Sequence, residues 1–384
     1  MTKIIIIFLS YILILFNNNL NADELANKLK IGLLAPFSGD NKELGNSLLL
    51  SSQLALNEIA DERIIMIPGD SGTNDPNKLN TAINKIIKSG AKVIIGPTDF
   101  DSFKETKKYN DIIFISLSNM YPTITNNTIS IGVSLESQIH AIEKFILKEK
   151  KKKTIIMYPK NQYSEFIDKK LKNIKLKNYK IFKYNPDPKI LTGAIEKLTN
   201  YSQRKNNLKL RKKILEEKED ERSKRELSIL EQKYTLGKVN FDSIIIIDFG
   251  SNLKSVLASL VFSDVPDDEV LFITVNQWFD ESIFYENSVK NLYFPSVDLK
   301  NFNNFNNEYF QIYNLKPSEI SILAYDAIAL VYYIWRKNKK ISSINDFFIK
   351  EKIKGKIGTF NFKDGKVTQD LKIYKINNGK FIKN

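Results

Sequence analysis

The feature that most constrains this fold is an alternation. Short apolar runs, each long enough for one buried strand, take turns with stretches whose apolar residues recur at helical spacing. The pattern opens at 29–60, LKIGLLAPFSGDNKELGNSLLLSSQLALNEIA. Ile31 to Ala35 suits a buried parallel strand, and the chain breaks at Pro36-Phe37-Ser38-Gly39. Leu44, Leu48, Ala55 and Ile59 then fall on one helical face. Strand, polar loop and amphipathic helix make half of a βαβ unit, and in open α/β sheets ligands sit at the loop on the carboxyl end of such a strand.

The alternation continues with strands expected at Arg63–Pro68, Lys92–Ile95 and Ile112–Leu117, and helices at Pro76–Lys88 and Phe103–Tyr109. A short strand near Ser130 and a helix at Leu135–Lys148 follow. A second series then begins. Its expected strands are Thr154–Tyr158, Tyr179–Tyr184, Ser243–Ile247 and Val270–Val275, and its helices are Ser164–Ile174, Lys189–Tyr201 and Leu253–Phe262. Two consecutive series of this kind imply two Rossmann-like lobes, each a parallel sheet with helices on both faces. The tail is mixed: an apolar helix at Glu319–Trp335, then small antiparallel strands at Phe360–Phe362, Leu371–Ile376 and Phe381–Ile382. Asp364-Gly365 and Asn378-Gly379 are their turn signals.

One segment breaks the pattern. From Gln203 to Tyr234 the chain is charged and helix-forming, and EEKEDERSKR (216–225) carries no apolar residue. It reads as a solvated helix or helix pair inserted in the second lobe, with a partner-docking arm as the sharper alternative.

Composition removes several chemistries. The 384 residues contain no cysteine, which excludes disulfides and thiolate chemistry, and one histidine, His140, which leaves little for a metal site. No dinucleotide or P-loop glycine pattern occurs, so no cofactor is expected. GDSG (69–72) resembles a protease nucleophile sequence, yet it follows a parallel strand with no positioned base and reads as a turn. No enzyme activity is expected. The net charge of +14 favours contact with acidic surfaces, but the basic runs lack interleaved aromatics, so nucleic acid is not expected as a partner. Residues 1–22, with Lys3, an apolar run from Ile4 to Phe16 and a small residue at Ala22, form a signal peptide pattern. The run is short for a bilayer span, with an uncleaved anchor as the alternative. The expected location is the periplasm, and without cysteine the chain is not a lipoprotein.

The remaining polar features are six strand-end loops: Ser38-Gly39; Gly96-Pro97-Thr98-Asp99; Ser116 with Ser118-Asn119; Asn161-Gln162-Tyr163-Ser164; Asp248-Phe249-Gly250; and Asn276-Gln277-Trp278. Singly, each reads as a helix start. Together they line a cleft if the lobes face each other. Hydroxyls and helix N-termini there suit a carboxylate, Asp an ammonium or hydroxyl, and Tyr163 and Trp278 an apolar moiety.

Several of these stretches resemble the type I periplasmic binding proteins, specifically the leucine/isoleucine/valine-binding branch. They are IGLLAPFSG (31–39), GAKVIIGP (90–97), FISLSN (114–119), YPKNQYSEF (158–166) and SILAYDAIALVYY (321–333). The resemblance implies two Rossmann-like lobes crossed by three connections and closing over a small polar or amino-acid-like ligand for an ABC permease. Lobe 1 would be 23–138 plus 298–352, and lobe 2 would be 139–297 plus 353–384. It also implies that Thr98 to Ser102, with Asp99, and Ser116 to Asn119 hold a ligand carboxylate and ammonium, with Tyr163 beside them. Where amino-acid receptors place an acid for the ammonium, this chain has Asn276-Gln277-Trp278, and Asp248 comes from a different strand. A second likeness is to the penicillin-binding protein activators, carried by KYTLGKVNFDSIIIIDFG (233–250), Trp278-Phe279-Asp280, the charged insert and GTFNFKDGKV (358–367). It implies a peptidoglycan synthase as partner instead of a permease.

Overall fold

The computed structural model describes residues 28–118, 125–218, 220–275, 279, 291–363, 366–377 and 380–384. The chain forms two compact units. The first holds the residues up to Ser134 with Leu299–Gln369; the second holds Leu135–Asp298 with Asp370–Asn384.

The first unit begins with β1 (Leu29–Ala35), α1 (Lys42–Ile59), β2 (Ile64–Asp70) and α2 (Pro76–Lys88). It continues with β3 (Val93–Ile95), α3 (Phe100–Thr106), β4 (Ile113–Ser116) and β5 (Thr128–Ser130). Its strands make a parallel sheet in the order β2-β1-β3-β4-β5. Only Lys30 of β1 is exposed, as expected for a strand covered on both faces. Asp75 starts α2 by accepting the N–H groups of Asn77 and Lys78, with Pro76 at the first helical position. Its apolar stripe, Leu79, Ala82, Ile83 and Ile86, then packs on Leu34, Ile94 and Phe114.

In the second unit come α4 (Leu135–Lys148), β6 (Thr154–Pro159), α5 (Ser164–Leu171), β7 (Tyr179–Tyr184) and α6 (Pro188–Leu198). They are followed by α7 (Tyr201–Glu216), α8 (Glu221–Glu231), β8 (Ser243–Ile246), α9 (Gly250–Phe262), β9 (Leu271–Thr274) and β10 (Leu292–Ser296). The chain returns to the first unit with α10 (Leu299–Tyr313), α11 (Ser321–Asn338), β11 (Ile353–Lys354), β12 (Thr359–Lys363) and β13 (Lys366–Gln369). It ends in the second with β14 (Lys372–Asn377) and β15 (Lys380–Lys383). The second sheet runs β15-β14-β10-β9-β8-β6-β7, parallel from β10 to β7, with the closing hairpin antiparallel.

The charged segment is a helix pair. Leu208 and Leu215 of α7 and Leu230 of α8 bury against one another, with Leu227 and Leu236 beside them. Arg211 reaches Glu226 through two bonds of 2.8 Å.

Unit boundaries differ from the expected lobes at three places, the smallest being Asp298, expected in lobe 1 and found in the second unit. Leu135 enters the second core with Ile139, Ile142 and Ile245, so the second unit starts at 135 and not at 139. Residues 353–369, expected in lobe 2, belong to the first unit. The Asp326 carboxylate of α11 accepts the N–H groups of Lys356 (2.7 Å) and Ile357 (3.1 Å), and the Gln369 amide donates to the carbonyls of Ile131 and Gly132, both at 2.9 Å.

Four of these elements were not anticipated: β10, α10, β11 and β13. Pro295 interrupts the strand signal of β10. The many Asn residues of α10 are poor helix formers, yet Phe302, Phe305 and Tyr309 give it a buried stripe. Helix α3 starts at Phe100, earlier than expected, because Asp99 caps it through the N–H of Ser102 at 2.8 Å. The Asp364-Gly365 and Asn378-Gly379 turn dipeptides lie outside the described residues, while the strands flanking them pair antiparallel.

Candidate functional site

Each parallel sheet has one topological switch point, where consecutive connections wind in opposite directions and leave a crevice at the carboxyl ends of the strands. In the first unit it lies between β1 and β3, and in the second between β6 and β8.

The first crevice is bounded by Ser38 after β1 and by Thr98 and Asp99 after β3. Asp70, the last residue of β2, organises this edge. Its carboxylate accepts the N–H groups of Phe37 and Gly72, each at 2.9 Å, and pairs with Lys78 at 2.8 Å. Burial alone would raise its pKa, but Lys78, the Gly72 N–H and Ser38 together bring it down to about 2. Lys78 also donates to the Ser38 hydroxyl, so Ser38 enters the crevice already bound to a cation. On the β3 side Gly96 has φ +111°, and a Cβ there would lie 2.3 Å from the Leu34 carbonyl oxygen. A glycine is required for this loop to close against β1. Thr98 is half-buried and Asp99 exposed.

One strand further on, Ser116 is fully buried. Its hydroxyl donates to the Pro97 carbonyl at 3.3 Å and accepts the Ser118 N–H at 3.3 Å, which ties the β3 and β4 exits together. Ser118 is buried, and its carbonyl accepts the Ser130 hydroxyl. Ser102 is half-buried in the first turn of α3.

In the second crevice Tyr163 precedes α5, half-exposed, its N–H held by the Asn161 side chain at 2.9 Å. Asp248 follows β8 and is buried. Burial pushes its carboxyl above the usual range, while the Tyr184 hydroxyl and the N–H groups around it pull the other way. The Tyr184 hydroxyl donates to Asp248 Oδ2, and the Phe249 N–H donates to Oδ1 at 2.8 Å. Phe249 itself is exposed.

The fold thus brings Ser38, Thr98 and Asp99 to one switch point, and Tyr163 and Asp248 to another. Ser116 and Ser118 sit at the neighbouring β4 exit. Asn119, Asn276 and Trp278 lie outside the described residues. Three crevice residues went unread as site residues in the sequence: Asp70, Lys78 and Tyr184. Asp70 was within reach, because it ends an apolar strand as Ser38 follows one. Lys78 and Tyr184 acquire a role only through partners 40 and 64 residues away, which no local pattern signals.

His140 is exposed, its Nδ1 3.7 Å from Glu143 Oε2. Among the described residues no group of three or more His, Cys, Asp or Glu side chains is arranged to hold a metal ion. No described helix is long and apolar enough to cross a membrane.

No family model matches the chain. No curated protein matches it in sequence. Solved structures do. A periplasmic ligand-binding protein of a branched-chain amino acid ABC transporter from Burkholderia xenovorans superposes with a TM-score of 0.66 at 9% identity, over 93% of this chain and 94% of that one. The fold is that of the type I periplasmic binding proteins. Within this fold, the substrate-binding protein LivJ of Streptococcus pneumoniae, in complex with isoleucine, matches with a TM-score of 0.56 at 17% identity, over 93% and 100% of the two chains. The C-domain of LpoA from Haemophilus influenzae, a regulator of PBP1A, matches with 0.60 at 13%, over 92% and 99%. The type I fold therefore hosts solute binders and a regulator alike, and these neighbours are binding proteins and regulators, not enzymes.

Proposed function

We propose that this protein is a solute-binding receptor of an ABC-type importer. It is exported to the periplasm by a signal peptide at residues 1–22, and its switch-point loops take a small polar or amino-acid-like ligand. The carrying observation is that two doubly wound units each present polar side chains at a switch point, Ser38, Thr98 and Asp99 in one and Tyr163 and Asp248 in the other. Hydroxyls and backbone N–H groups suit a carboxylate, Asp99 suits an ammonium or hydroxyl, and Tyr163 and Phe249 suit an apolar moiety. The isoleucine complex among the structural neighbours supports the ligand class. A binding solute at about 100 times its Kd stabilises by about 2.7 kcal/mol, and the melting temperature should rise by roughly 5–10 °C. A thermal-shift screen across amino acids and small carboxylates that moves nothing would sink this reading.

A second reading is supported by the helix pair. Leu210 and Ile214 of α7, one turn apart, and Ile229 of α8 are exposed on an element that the doubly wound core does not need. In this reading the protein is a regulator docking on a peptidoglycan synthase. Replacing residues 206–231 with a short Gly-Ser linker, which keeps Arg204, is expected to abolish capture of the synthase while leaving the thermal unfolding of the second unit intact. Undiminished capture would remove the reading.

A further inference from the structure

The helix pair buries one face of each helix in a core of its own, Leu208, Leu215 and Leu230. Leu210, Ile214 and Ile229 lie outside that core and are 53%, 48% and 60% exposed. Ile214 stands one turn from both Leu210 and Arg211, and Ile229 one turn from Glu226. Because Arg211 and Glu226 are joined across the pair, the three apolar side chains flank that bond on one side. A lone hairpin needs one apolar stripe per helix, whereas a bundle needs a second, turned to another neighbour.

Charge beside this second stripe is segregated. From Tyr201 to Leu215 the chain has no acid, and Lys205, Lys209 and Lys213 are exposed. Around the turn into α8, Glu216, Glu217, Asp220 and Glu221 are exposed. Lys213 and Glu217, three and seven positions after Leu210, share its side of the helix. Among the described residues Lys209, Lys213, Glu216 and Glu217 are in no ion pair. Helix dipoles explain Asp220 and Glu221 at the start of α8, but not Glu216 and Glu217 at the end of α7.

We infer that this face is a self-association surface, on which a second copy of the chain lays its own helix pair end for end. A two-fold interface brings one patch onto itself, so a patch with its two signs in separate halves matches its own copy when reversed. The acidic end of each copy then meets the basic body of the other. Leu210, Ile214 and Ile229 of both copies lie between them, as in a four-helix bundle made from two hairpins. The charges select this occupant. Glu216 and Glu217 repel anionic lipid and nucleic acid, and a protein of one sign leaves half of the face unmatched. The inference does not rest on the solute reading, and in the synthase reading the enzyme competes with the second copy for the same side chains.

Sedimentation equilibrium of the full chain, over a range of protein and salt concentrations, tests this. So small an apolar area makes a weak dimer the expected result, with a Kd in the micromolar range that rises at least about threefold in about 0.5 M salt. Lys209→Glu with Lys213→Glu sets like charges against Glu216 and Glu217 of the second copy. Glu216→Lys with Glu217→Lys does the same from the other end. Each pair of changes should weaken self-association by about tenfold or more. Mixed in equal amounts, the two variants regain opposite charges at both ends, and the mixed dimer should form within about threefold of the unaltered Kd. Leu210→Gln with Ile214→Gln should weaken the dimer at low and high salt alike, and locates the contact if a charge variant fails to fold. An unaltered chain that stays monomeric at about 100 µM would overturn the inference. So would a dimer that both charge variants keep, which places the contact elsewhere, or a mixture of folded variants that pairs no better than its parts.

Discussion

Arg204→Met is expected to destabilise the protein by about 3–5 kcal/mol, an effect on the scale of breaking a buried charge network. Arg204 opens α7 and is 5% exposed. Its guanidinium donates to the Thr199 carbonyl at 3.0 Å, the Thr235 hydroxyl at 2.8 Å, the Asp264 carbonyl at 3.0 Å and the Ser263 carbonyl at 2.5 Å. Thr199 caps the C-terminus of α6 and Ser263 that of α9. One cation therefore satisfies the ends of two helices and fixes the loop that follows α8. Burial lowers its pKa, and Asp264 nearby opposes that. Methionine fills similar volume but leaves those acceptors buried and unpaired. Urea unfolding followed by circular dichroism reads the loss. Arg204→Lys should recover only part of it, since an ammonium cannot match the fork. A methionine variant within about 0.5 kcal/mol of the unaltered protein, the range of neutral surface changes, would show that water replaces these bonds freely.

Asp326→Ala is expected to cost about 2–4 kcal/mol and to flatten the pH dependence of stability between about pH 4 and 6. Asp326 is buried in α11, and its carboxylate receives the N–H groups of Lys356 and Ile357. Gly355 lies so close that a Cβ would stand 2.5 Å from Asp326 Oδ2. Alanine at 326 leaves two backbone donors unpaired and releases the turn leading into β12. Burial pushes the Asp326 carboxyl up to about 6 from an ordinary 3.8, against the pull of the two N–H groups and Lys356. Between these values the folded state binds more protons than the unfolded, so this group favours folding as pH falls from 6 to 4 and disfavours it above 6. The gain across that window is on the order of 1–3 kcal/mol. Asp70, held down to about 2, acts in the opposite sense and only below pH 4. The difference between the variant and the unaltered protein across pH isolates Asp326. Parallel curves would mean that its carboxyl titrates as an ordinary one.

Much of the fold was legible because parallel strands and amphipathic helices announce themselves locally. Pro76–Lys88, Leu135–Lys148 and Tyr179–Tyr184 have the same limits in sequence pattern and in structure. Legibility failed where the deciding contact is distant. Of residues 353–369 the sequence shows one strand, Phe360–Phe362, and the unit they join is set by Asp326 and by the carbonyls of Ile131 and Gly132. The same limit governs the site. Ser38, Thr98, Asp99 and Tyr163 follow strands, so topology alone carries them to switch points. That Ser38 arrives bonded to Lys78, and Asp248 to Tyr184, depends on side chains brought from other βα units.

The return of the chain to the first unit has a consequence for synthesis. The buried face of α11, with Leu323, Ala327 and Ile334, covers β1 and β3 alongside α1. Until residues 321–338 have left the ribosome, the earliest strands lack one of their two layers, so the first sheet to be made waits for most of the chain before it is covered. Closing that long connection is entropically costly and slow relative to local helix formation. A chain truncated between β10 and α11 would keep the parallel strands of the second sheet without its closing hairpin, but present a bare apolar face on the first sheet, the kind of surface that chaperones retain and proteases clear.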